Sequence, residues 1–213
     1  MRQTFLLIPA AAVALVTAAI AQPASADTKT YNLSGFTEVS ASAGVTVILK
    51  QGPFNVKADE SKGDFDKLLL EVRGNKLVAS RKSNSSWFSF GPDYTITVTA
   101  PTYTSVSASS GSEVDGDGLQ LKDIRVEVSS GADMDLAGAC TALSVDISSG
   151  ADFNGEELKC QTATVEASSG ADADAWASGS ARGEASSGAD ITFHGSPATF
   201  DKDTSSGGSV KSL

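Results

Sequence analysis

Cys140 and Cys160 are the two cysteines of the chain, and each stands eight residues ahead of a Ser-Ser-Gly tripeptide. If that tripeptide marks equivalent points in successive turns of a repeat, the two residues share a slot in adjacent turns. Their separation would then fall inside the Cα window that a disulfide accepts. A Cys140–Cys160 disulfide is therefore expected, and with it an oxidising compartment. The second reactive set is acidic. Asp133, Asp152, Asp172 and Asp190 each close a Ser-Ser-Gly-Ala-Asp sequence, and two residues further on stand Asp135, Asn154, Asp174 and Thr192. Carboxylates stacked ~5 Å apart repel by roughly 1 kcal/mol in water, and by several times that at a lower effective dielectric.

Three arrangements would offset this repulsion. Ca²⁺ could bind between turns, with Asp133, Asp135, Asp152, Asp172, Asp174 and Asp190 as candidate oxygen ligands. Each Asp could instead accept hydrogen bonds from the amides of its own turn, or splay into water. Calcium-binding nonapeptide repeats carry a double glycine and a nine-residue period, neither of which is present here. Turn bonding is thus the expected arrangement, and no metal or cofactor is assigned. A third set is aromatic: Trp87, Phe88 and Phe90 lie between Ser, Gly and Pro residues and are candidate contacts for a glycan or protein. The alternative is that they plug an open side of the core. His194, the lone histidine, sits in a Phe-His-Gly-Ser turn without a nucleophile motif. Arg125 and Arg182 stand apart from one another and form no basic groove. No catalytic residue is assigned, and the chain is expected not to be an enzyme.

These residues owe their spacing to a repeat. The glycines of the Ser-Ser-Gly tripeptides fall at Gly111, Gly131, Gly150, Gly170, Gly188 and Gly207, in steps of 18 to 20 residues. Helical-pair repeats need more than about 30 residues per unit. Inside each unit apolar residues alternate with polar ones: Ile124, Val126 and Val128 against Arg125 and Glu127, then Met134 and Leu136 against Asp133 and Asp135. Period two signals strands with one face in and one face out. Strand, corner and strand, repeated at a near-constant step, make the coils of a solenoid. Glycine suits the corner because stacked corners must share one backbone conformation, and glycine tolerates a positive φ. Residues 27–104 show the same texture less regularly, with a degenerate corner at Ser40-Ala41-Ser42-Ala43-Gly44. They are read as irregular opening coils and hairpins of the same domain, and residues 105–213 as the regular coils.

Phe36, Val39, Gly44-Val45, Val47, Leu49, Gln51-Gly52, Leu77 and Val98-Thr99-Ala100-Pro101, followed by the repeated Ser-Gly corners, resemble the head GIN domain family of putative auto-transporter adhesins. The resemblance covers residues 27–213. It implies an all-β, single-domain, right-handed parallel β-helix of ~19-residue coils, and it brings no catalytic residues.

The chain opens with Arg2, an apolar run over residues 5–20, and Ala24-Ser25-Ala26, the layout of a secretory signal expected to be cut after Ala26. Pro9 interrupts the run, which is shorter than the roughly 20 residues that span a bilayer. No second apolar run follows, so no transmembrane segment is expected in the mature chain. Residues 27–104 hold 9 Lys/Arg against 8 Asp/Glu, whereas residues 105–213 hold 6 against 18. That acidity argues against nucleic acid as a partner. The expected function is a non-enzymatic binding module of the periplasm or cell surface, presenting a flat β-face to a glycan or envelope protein. The alternatives are a structural envelope protein and a Ca²⁺-, ice- or mineral-binding solenoid.

Overall fold

A computed structural model describes residues 27–60, 64–82 and 93–213. Among these residues there is no helix, and sixteen strands join in one wound sheet. The opening part contains β1 (Asp27–Tyr31), β2 (Glu38–Ser42), β3 (Thr46–Gln51), β4 (Asn55–Glu60), β5 (Leu68–Arg73), β6 (Lys76–Arg81) and β7 (Tyr94–Ala100). The regular coils contain β8 (Ser105–Ser109), β9 (Glu113–Gln120), β10 (Asp123–Ser129), β11 (Asp133–Ser148), β12 (Asp152–Ser168), β13 (Asp172–Ala185), β14 (Asp190–His194), β15 (Thr199–Thr204) and β16 (Ser209–Ser212).

The result is the parallel β-solenoid that the period implied, as a single domain. It has two faces. The first stacks β6, β2, β8 and β10 on the second halves of β11, β12 and β13, and ends at β15. The second stacks β7, β3 and β9 on the first halves of β11, β12 and β13, and ends at β14 and β16. All these pairs are parallel. Antiparallel pairing is confined to the N-terminal end, where β4 and β1 extend the second face and β5 extends the first. The opening strands thus continue the register of the coils, as their texture suggested.

Register turns each alternating strand into a layer of the core. Leu77, Val39, Val106, Val126, Val145 and Val165 lie side by side in one inward column, all of them buried. Burying such a side chain fully is worth roughly 1.5–3 kcal/mol. Between columns, large residues are matched by small ones. The Phe153 ring fills the space beside Gly155, where a Cβ would come within 2.8 Å of the ring.

The Ser-Ser-Gly corner carries two left-handed residues in succession, not one. Ser130 and Gly131 have φ of 57° and 63°, and Ser149 and Gly150 have 61° and 63°. The same pair recurs at Ala43 and Gly44, which stack on Gly111 as the degenerate copy. Backbone hydrogen bonds run through these corners from coil to coil. The amide of Gly111 donates to Ser130, Gly131 to Ser149, Gly150 to Ser169 and Gly170 to Ser187, at 3.1–3.2 Å. At the N-terminal end of this column Arg81 donates from Nη2 to the Gly44 carbonyl at 2.8 Å.

The opposite corner is less regular, with register shifts near Gly138 and between Gly155 and Lys159. Gly138 has φ +137°, and a Cβ there would sit 2.0 Å from the Leu119 carbonyl oxygen. No side chain can move to relieve a clash with backbone. Gly138→Ala is therefore expected to cost about 2–5 kcal/mol from overpacking and φ strain together. Gly150→Ala, with open space at its Cβ, should cost about 1–2 kcal/mol from φ alone. Urea unfolding of the two variants should show that ordering; equal losses would mean the clash relaxes away.

Candidate functional site

Cys140 and Cys160 occupy partner positions in β11 and β12 and are joined by a disulfide, with Cα atoms 4.4 Å apart. Both are buried at the corner opposite the Ser-Ser-Gly column. The bond ties two coils together just past the register shift at Gly138, where the ladder is weakest.

The corner aspartates form the column that their spacing implied. Glu113, Asp133, Asp152, Asp172 and Asp190 follow one another in register on the second face and end at Ser209. Beside them run Asp115, Asp135, Asn154, Asp174, Thr192 and Lys211. The side chains of Asp133, Asp152, Asp172 and Asp190 are exposed, and none bonds its own corner. The expected turn bonds fail for a physical reason: the amides that would donate are already spent between coils. Gly131 donates to Ser149, and the amides of Asp133, Asp152, Asp172 and Asp190 donate to Ser112, Ala132, Ala151 and Ala171. The carboxylates splay into water instead. The crowding still registers. Asp152 is raised above its ordinary value by partial desolvation between the coils, then by the charges of Asp133 and Asp172. Asp115 is raised by desolvation, then by Glu113 and Asp135. Among the described residues no three His, Cys, Asp or Glu side chains converge closely enough to hold a metal ion.

The first face carries a second acidic column, which sequence reasoning missed. Glu127, Asp146, Glu166 and Glu184 stand in register and continue to Asp203. With Ser129, Ser148, Ser168, Ser186 and Ser205 they line a shallow groove of about 570 Å³. The signal lay two residues before five of the six Ser-Ser-Gly tripeptides, where an acid stands at 127, 146, 166, 184 and 203, and Ser107 holds the place in the first. Arg125 and Arg182, which stand apart in sequence, lie in the neighbouring outward column, in register with Ser105, Ser144, Thr164 and Asp201, and reach across to this one. Arg125 bridges Glu127 at 2.8 Å and Asp146 at 2.6 Å, and Arg182 bridges Glu184 at 2.6 Å and pairs with Asp201.

His194 does not stand in a surface turn. It ends β14 with only 18% of its side chain exposed, its Nε2 3.0 Å from Asp174 Oδ1 and its Nδ1 3.7 Å from Glu156 Oε1. Its neighbour Gly195 packs under the Trp176 ring, where a Cβ would come within 2.4 Å. Trp87, Phe88 and Phe90 lie outside the described residues, as do the residues read as a secretory signal.

The family model described as "Putative auto-transporter adhesin, head GIN domain" matches residues 35–197. Among solved structures, a putative adhesin from Bacteroides fragilis superposes with a TM-score of 0.70 at 15% identity, covering 89% of this chain and 97% of that one. A putative lipid binding protein from Parabacteroides distasonis gives 0.53 at 14% identity over 88% and 96%. A putative adhesin from Parabacteroides merdae gives 0.52 at 10% identity over 88% and 96%. At these identities the likeness is one of fold. No curated protein matches the chain.

Two measurements follow from the site. The disulfide closes a loop with a sequence separation of 20, so chain entropy predicts a loss of about 3 kcal/mol in a Cys140→Ala, Cys160→Ala variant. Urea unfolding with and without reductant should show this loss in the wild type and no reductant effect in the variant. The raised carboxyls give a pH dependence of definite sign. A folded-state value above the unfolded one means the native state takes up its proton first. Asp115 and Asp152 therefore oppose folding at neutral pH, and that opposition is relieved as pH falls through their folded values toward the unfolded value of about 4. Asp152→Asn should raise the Tm at pH 7 and gain less than the wild type on acidification; an unchanged profile would show that the column's charges are fully screened.

Proposed function

Because the chain belongs to the head GIN domain family of putative auto-transporter adhesins, we propose that it is a non-enzymatic, exported binding module. It works in the periplasm or at the cell surface and holds a glycan or an envelope protein against a flat β-face. The observation that carries this reading is the first face, where coil after coil presents the same acid and the same serine in register beside a shallow groove. A repeated array of that kind gains affinity by multivalent contact, each coil adding a weak and equivalent interaction. Carboxylates, serine hydroxyls and the bridging Arg125 and Arg182 supply acceptors and donors that suit sugar hydroxyls or polar peptide groups. Trp87, Phe88 and Phe90 are proposed as additional apolar contacts.

A non-catalytic role is supported by the solvated, regular spacing of the acids. Export is supported by the disulfide, which needs an oxidising compartment, and by the apolar opening with its small-residue cleavage motif. The acidic coils disfavour nucleic acid.

The test is an array of bacterial and host glycans, with purified envelope proteins alongside, probed with residues 27–213 with and without Ca²⁺. Binding is expected, and Glu166→Lys in the middle of the first face should weaken it at least tenfold without shifting the Tm. Asp172→Lys on the second face should leave it intact. Equal loss from both variants would remove the first face as the binding surface, and the absence of binding to any probe would remove the adhesive reading.

A further inference from the structure

We propose that Lys29 and Lys202 close the two ends of the solenoid against other molecules of the same chain. A stack of parallel coils leaves unpaired backbone groups and an uncovered core layer at each end, a template for pairing with another chain. Among the described residues β15 pairs with β13 alone, and β1 pairs with β4 alone. Each of these edge strands carries a lysine at a position that register assigns to the core.

At the C-terminal end the inward valine column runs through Val126, Val145 and Val165 to Gly183 and then to Lys202. Gly183 leaves room that Val210 and Phe193 fill, since a Cβ there would lie 2.7 Å and 2.9 Å from them. Lys202 crosses below, with Nζ 3.5 Å from the Val210 carbonyl oxygen. Two further inward positions of this layer turn polar, Thr204 after Ala185 and Ser212 after Phe193, while Val210 continues the apolar column from Ile191. Phe200 remains, 38% exposed, its ring edge-on to Phe193. At the N-terminal end Lys29 pairs with buried Ala58 and so lies on the core side, with Nζ 5.2 Å from the centre of the Tyr31 ring and 5.7 Å from that of Phe65.

A strand that added to β15 would place its own inward residue about one strand spacing, ~4.8 Å, from Lys202. The ammonium would then be buried without a counter-charge, a strongly unfavourable state. The same holds at Lys29, where the aromatic rings hold the cation at the mouth of the core. Inward-facing charge on an edge strand is a known way to block edge-to-edge pairing. Here it occurs once at each end.

The test is the mass in solution of residues 27–213, by size-exclusion chromatography with light scattering, with circular dichroism and a thermal melt as fold controls. The wild type and Lys202→Arg should run as monomers. Lys202→Val exposes one apolar end, and because like ends pair isologously the assembly closes at two copies, so the mass should double. Lys29→Val should behave alike, and the double variant should form longer chains. Adding Phe200→Lys to Lys202→Val restores an inward charge next to the lost one and should return the monomer. Lys202→Gln, which keeps the length and removes the charge, replaces the valine variant should that one fail to fold. A folded Lys202→Val and Lys202→Gln that both stay monomeric, a wild type that already associates through β15, or association that survives Phe200→Lys would each overturn the proposal.

Discussion

From the corner of Gly111 to that of Gly188 each coil is held to the next by backbone hydrogen bonds that run through the Ser-Ser-Gly corner, and the remaining features depend on that ladder. For Gly131 to donate to Ser149 and Gly150 to Ser169, every corner must turn in the same place with the same dihedral angles. That requirement selects the paired left-handed residues, and it accepts serine at the first of them despite a strain of about 1–2 kcal/mol. Once the corners coincide, the strands on either side have no freedom of register. A slip of one residue would turn the valine column outward and the acidic column inward.

Locked register puts like beside like on both sides of the backbone. Inside, this is favourable, because valine stacked on valine builds a continuous core from alternating strands. Outside, it forces carboxylates into lines. The structure relieves the strain by different means on its two faces. On the first face Arg125 and Arg182 offset part of the charge by bridging acids of their own coil and of a neighbouring one, through exposed pairs of small individual worth. The second face has no such bridge along its corner column and relies on exposure, on Ser209 at the end of one column, and on Asn154 and Thr192 in the other. Hydrogen bonding and burial outweigh the residual repulsion, which is why the columns persist.

What the sequence made legible was whatever the period enforces. The glycine steps gave the coil length, the alternation gave the inward residues, and the equal offsets of Cys140 and Cys160 gave the disulfide. What stayed hidden was decided by competition for the same group. The corner aspartates were expected to bond amides that the neighbouring coil had already taken, and only the three-dimensional ladder reveals that claim. Ser130 carries the same left-handed conformation as Gly131, which a serine does not announce by its residue type. The acids at 127, 146, 166, 184 and 203 alternate with apolar neighbours as any solvent-facing strand position does, so nothing but the period marks them as a column. His194 was misplaced because its partners Glu156 and Asp174 come from earlier coils, far away in sequence.

The same register limits the kind of function that the faces can support. Catalysis needs unlike groups brought to one point, and a column of identical groups at a fixed spacing does the opposite. Unlike groups meet where register breaks: at the disulfide corner, beside Gly138, and around His194 and Trp176, where bulges let β12 and β13 pass out of step. A regular face instead offers repetition. Removing one acid from such a row removes one of several similar contacts, so affinity should fall in modest steps instead of vanishing, while reversing a charge in the middle disturbs the neighbours on both sides. A surface of this type recognises extended, repetitive partners better than compact ones. That is the physical basis for proposing the first face as the binding surface, because there Arg125 and Arg182 interrupt the row of negative charge.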